Sequence, residues 1–125
     1  MSNRVNVLYV HGYMGSGSGD TATTIKKLLN ADKFNFISPQ FSNKVADIEK
    51  NIQQINYIIE KDKPAIVIGN SLGTFEVMNV KCAGYRILIN PVFNPVTQRG
   101  CAYFYDQFLL HPIFSVLSSF LVLHF

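Results

Sequence analysis

Two short segments of the chain carry residue types that could do chemistry. The first is Gly69-Asn70-Ser71-Leu72-Gly73, which sets a serine between two glycines directly after the apolar run Ala65 to Ile68. A serine alcohol is a weak nucleophile: it needs a base to take its proton and N–H donors for the charge that develops on the attacked oxygen. A sharp, strained turn between a strand and a helix exposes Oγ, and small residues two before and two after it relieve clashes that side chains would create. The helix then aims unpaired N–H groups and its positive dipole end at the developing oxyanion. The same five residues, taken alone, also fit an ordinary turn whose serine caps a helix. The strand before and the helix after favour the nucleophile turn. The second segment is His11-Gly12-Tyr13-Met14-Gly15, closing the apolar run Val5 to Val10. His11 is tempting as a base, but it is expected to hold its loop.

The elements that must position these turns alternate regularly. Val5 to Val10 is β-branched and aromatic and reads as a buried strand, ended by the glycine-rich stretch Gly12 to Gly19. Asp20 or Thr21 can cap a helix bearing Ile25, Leu28 and Leu29 on one face, with Asn30 at its end. Phe34 to Ile37 is a second strand, stopped by Ser38-Pro39. Val45, Ile48, Ile52, Ile55 and Ile59 step by three and four, which predicts an amphipathic helix. A third strand over Ala65 to Ile68, a third helix from Leu72 to about Val80, and a fourth strand over Arg86 to Ile89 follow. Strands alternating with helices predict an α/β fold with a parallel sheet and helices on both faces. Phe34, Phe36 and Phe41 are read as core, Lys26 and Lys27 as a solvated helix face, and Cys82 as a small buried hydrophobe.

A chain of 125 residues with 48% hydrophobic composition can bury one core, so a single domain over 1–125 is expected. The formal charge of +3 is scattered, without basic runs or aromatic interleaving, and no nucleic-acid partner is expected. Cys82 and Cys101 have neither metal-ligand spacing nor the numbers for a disulfide framework. No metal and no other cofactor are expected. The N-terminal run is too short for a signal-peptide core, and a cytoplasmic location is the simplest expectation. From residue 96 to 125 the pattern deteriorates into a divergent apolar tail. Phe108 to Phe125 is slightly short for a spanning helix and carries Pro112 and His111, so membrane insertion is not expected.

Four segments in order, Val7 to Tyr13, Ile37-Ser38-Pro39-Gln40, Gly69 to Gly73 and Ile89-Asn90-Pro91, resemble the compact bacterial YqiA-like esterases of the α/β-hydrolase superfamily. The resemblance covers residues 1–95, about three-quarters of the chain. It implies a serine esterase acting on small acyl esters through an acyl-enzyme, with Ser71 as nucleophile. In that superfamily the residue after the His-Gly turn and the one after the nucleophile supply oxyanion N–H groups, here Tyr13 and Leu72. The family's acid and histidine come from later strands, and no segment beyond residue 95 reads as such a strand. The chain is therefore expected to be a truncated α/β-hydrolase core, from truncation or a change of frame in the gene. Asp106 and His111 are the nearest candidates by position. Neither is carried over, and acid and base stay unassigned.

Two other readings compete with a weak or incomplete esterase. One is a non-catalytic remnant of the hydrolase fold. The other is a nucleotide-binding α/β domain built on Gly15 to Gly19, but Gly19 is followed by Asp20-Thr21 rather than Lys-Ser/Thr. The second strand also ends in Ser38-Pro39-Gln40, where a dinucleotide site wants an acidic residue.

Overall fold

The computed structural model describes residues 3–81, 84–91 and 120–123. Its centre is a parallel sheet of β1 (Val5–Val10), β2 (Phe34–Ile37), β3 (Ile66–Asn70), β4 (Tyr85–Ile89) and β5 (Phe120–Leu123), in the order β2-β1-β3-β4-β5. The chain leaves β1 through α1 (Asp20–Leu28) to the outer strand β2. It returns through a 3-10 turn (Val45–Asp47) and α2 (Ile48–Asp62) to β3, then passes through α3 (Leu72–Met78) to β4. The expected α/β architecture is present.

Alternation along the strands separates two cores. On one face Leu8, Val10, Val67 and Leu88 pack with Ile55 of α2, Val77 of α3 and Phe41. On the other Val7, Tyr9 and Ile68 pack with Ala22 of α1, joined by the half-buried Phe34 and Phe36. Helices thus cover both faces, which explains why the central strands are predominantly apolar. Lys26 and Lys27 are exposed on α1.

Several boundaries differ from the sequence reading for local reasons. The N-cap of α1 is Gly19, with extended backbone and no side-chain cap; Asp20 is the first helical residue, where its charge meets the positive helix end. That helix stops at Leu28, and Asn30 serves the following turn, its carbonyl accepting from the N–H groups of Lys33 and Phe34. Val45 lies in the 3-10 turn preceding α2 rather than in the helix itself. At the other end α2 finishes on Lys63 in left-handed conformation (φ 45°), just before Pro64. Strand β3 extends past Ile68, because Gly69 and Asn70 stay in the ladder opposite Leu88 and Ile89.

The largest difference lies in the tail. Phe120–Leu123 forms β5 beside β4, with Arg86 opposite Phe120, so a strand does follow β4. A four-residue apolar run within a longer apolar tail has no period that separates strand from buried helix. Cys82, Cys101 and the expectations for residues 96–119 lie outside the described residues.

Helix α3 is tied to β4 at both ends. Ser71 N–H donates to Ile89 O (2.9 Å) at its start. Near its end, Arg86 of β4 donates from Nε to Val77 O (3.3 Å) and from Nη2 to Val80 O (2.7 Å). A buried guanidinium thereby satisfies carbonyls that a helix end would leave open.

Candidate active site

Ser71 sits between β3 and α3 with φ 53° and ψ −118°, a backbone conformation costly for any residue but glycine. Its carbonyl accepts from Thr74 N–H (3.0 Å) and Thr74 Oγ1 (2.6 Å), which starts the helix. Its side chain makes no capping hydrogen bond. The turn therefore does not use the serine as a helix cap.

The flanking glycines answer to close approach. A Cβ on Gly69 would stand 2.8 Å from Gly73 O, and one on Gly73 would run into Val10 O. The turn is folded against itself and against the end of β1. Because β1 and β3 are neighbours, with Val10 opposite Gly69, the loop after β1 arrives beside Ser71. A methyl on Gly12 would come within 2.8 Å of Ser71 Cβ.

Gly12, Tyr13 and Ser71 line one cleft of about 430 Å³. Among the described residues neither Tyr13 N–H nor Leu72 N–H has a protein acceptor. Leu72 is the first residue of α3, where an unpaired N–H is expected. Tyr13 is exposed and Leu72 buried.

The histidine of the first turn is committed elsewhere. Phe41 N–H donates to His11 Nε2 (2.8 Å), which puts the ring proton on Nδ1, 3.0 Å from Gly12 O. The ring is buried against Phe41. His11 therefore holds the loop and presents neither nitrogen to Ser71. Asp106, His111 and His124 lie outside the described residues.

The segment after β2 buttresses the same loop. Ser38 Oγ donates to Gly17 O (2.6 Å), Gly17 N–H to Gln40 Oε1 (3.2 Å) and Asn43 Nδ2 to Gly15 O (3.3 Å). The Ser38-Pro39-Gln40 motif thus acts as a brace for the glycine-rich loop. Within that loop Gly15 N–H goes to Gly12 O, Ser18 N–H to Ser16 Oγ and Gly19 N–H to Ser16 O. Those donors are spent on the protein itself, which leaves few to cradle a phosphate.

Sequence reading missed three polar residues of the cleft: Tyr9, Asn70 and Asp20. Asn70 Nδ2 lies 3.4 Å from Tyr9 Oη. Burial raises the Tyr9 phenol above its ordinary pKa, and hydrogen bonds with Asn70 and Thr21 partly offset this. An aromatic inside a strand reads as core, and an acid opening a helix as a dipole partner, so neither type advertised a cleft.

A second buried ionisable group lies on α3. Glu76 is 1% exposed, its Oε2 has no hydrogen-bond partner among the described residues, and burial raises its carboxyl to about 7 against a hydrogen bond with Asn51 that lowers it. Asn51 of α2 also pairs both ways with the Ser42 backbone.

Among the described residues no three His, Cys, Asp or Glu side chains gather as metal ligands, and no helix is long and apolar enough to cross a membrane. None of the curated proteins matches the chain. The model of the family described as Uncharacterised protein family (UPF0227) matches residues 6–100, and the chain belongs to that family.

Proposed function

We propose that the chain is a carboxylic-ester hydrolase of the serine type, similar to the YqiA-like esterases, working on small acyl esters without a metal or other cofactor. The observation that carries this reading is Ser71: a strained residue (φ 53°) at a strand-helix turn, with a side chain unused as a cap, packed against Gly12 and lining a cleft. In this mechanism Ser71 Oγ attacks the ester carbonyl carbon as its proton passes to a base. The N–H groups of Tyr13 and Leu72 take the oxyanion, the alcohol leaves, and water then releases the acid from the acyl-enzyme.

Acid and base remain unassigned, and turnover should be weak. When triad members are absent, oxyanion donors and binding still leave about 10³ to 10⁴ over water. The test is hydrolysis of a short-chain activated ester by the wild type and by Ser71→Ala, His111→Ala and Asp106→Asn, alongside fluorophosphonate labelling. Low turnover lost only in Ser71→Ala is expected. Robust turnover lost in both Ser71→Ala and His111→Ala would replace a weak site with a complete one, and turnover indifferent to Ser71→Ala would overturn the mechanism. A second reading, a non-catalytic remnant of the hydrolase fold, is favoured by His11, the one described histidine, having both ring nitrogens engaged. Absence of both turnover and labelling would select it.

A further inference from the structure

The cleft around Ser71 does not end at Asn70. A second groove, of about 570 Å³, shares Asp20, Thr21 and Asn70 with it and continues between α1 and the strands β3 and β4. Its walls are Ile25 of α1, Leu29 just past the end of that helix, and Ile68, Ile87 and Ile89 from the sheet. Leu28 stands at the edge 80% exposed. A mainly apolar trough therefore starts one residue from the nucleophile, with Asp20, Thr21 and Asn70 where the two spaces join and Thr24 and Asn90 as the polar residues beyond.

We propose that this groove is the acyl-chain subsite of the Ser71 site, taking the unbranched hydrocarbon chain of a medium-chain ester; the proposal rests on the serine-hydrolase reading. Continuity with the nucleophile selects this occupant. With the carbonyl carbon at Ser71, the chain has an apolar surface to follow past Asn70 and along α1. Asp20 at the junction tolerates a neutral ester and repels a carboxylate, so the chain is accepted as substrate and its acid is discharged as product. Each methylene fully removed from water contributes about fourfold in affinity; a trough open along one side withdraws only part of each, so about twofold is expected.

The test uses the full chain. From butyrate to decanoate, about six methylenes longer, p-nitrophenyl esters should gain about sixtyfold in kcat/KM. Thr24 is exposed on the groove side of α1, and Thr24→Trp should fill the trough and abolish that ratio. Decanamide, a neutral chain, should bind the Ser71→Ala protein in calorimetry and fail to bind Ser71→Ala/Thr24→Trp, a readout independent of turnover. A flat chain-length profile, a ratio untouched by Thr24→Trp, or no decanamide binding overturns the subsite. So does a dimer in sedimentation that Thr24→Trp dissociates, since a second copy would then be the occupant. Decanamide binding without Ser71-dependent turnover would instead sink the hydrolase reading and leave the groove as a chain-binding site.

Discussion

Gly12 and Ser71 meet so closely that one added methyl would stand 2.8 Å from Ser71 Cβ and 2.7 Å from Asn70 O. The loop after β1 and the turn after β3 are thereby locked in one register. Gly12→Ala should push the loop away, costing about 1–3 kcal/mol of stability and all Ser71-dependent turnover. Urea unfolding and ester hydrolysis on the same preparation check both effects.

Ser71 carries a conformational cost that glycine would not. Ser71→Gly should raise stability by about 1–2 kcal/mol while removing turnover and fluorophosphonate labelling. Ser71→Ala should remove both activities without that gain. A Ser71→Gly protein no more stable than the wild type in denaturant would mean that the turn is not strained.

Glu76 predicts an unusual dependence on pH. Its carboxyl is near 7 when folded against an ordinary value of 4.5, so between those values the folded chain holds a proton that the unfolded chain has released. The group's stabilising contribution is full below about pH 4.5 and is lost as pH rises through 7. Glu76→Gln should therefore be more stable than the wild type at pH 8, by roughly 3 kcal/mol at most, with the difference shrinking toward pH 5. Denaturant midpoints at the two pH values decide it; a difference that grows toward pH 5 would contradict the sign.

The tail supplies a fourth expectation. Because Phe120–Leu123 pairs with β4, deleting residues 107–125 removes an edge strand and bares backbone donors and acceptors of a central one. Soluble yield should fall markedly. Unchanged yield would show that β5 contributes nothing to the core.

Most of the architecture was legible because its elements declare themselves locally. The isoleucine stripe of α2 has a helical period, and Val5 to Val10 has the β-branched density of a buried strand. The tight turn around Ser71 was legible because close approach leaves glycine as the only residue that fits at 69 and 73. Illegible parts depended on contacts distant in sequence. Nothing in the residues around His11 reveals that a backbone N–H thirty positions later holds its ring, nor that Ser38 and Gln40 brace the glycine-rich loop. Four apolar residues at 120–123 become a strand only because the β4 edge is there to receive them.

The double attachment of α3 to β4 has a consequence for synthesis. Seven residues are too few for a helix to persist alone, and here the helix is fastened by Ile89 O at its start and by the Arg86 guanidinium near its end. A nascent chain that has emerged only as far as Gly73 carries the whole Gly-Asn-Ser-Leu-Gly sequence without the means to bend it. The strained turn at Ser71 is fastened only when β4 (Tyr85–Ile89) arrives, about twelve to sixteen residues later on the ribosome, so it closes after the strands that precede it rather than with them.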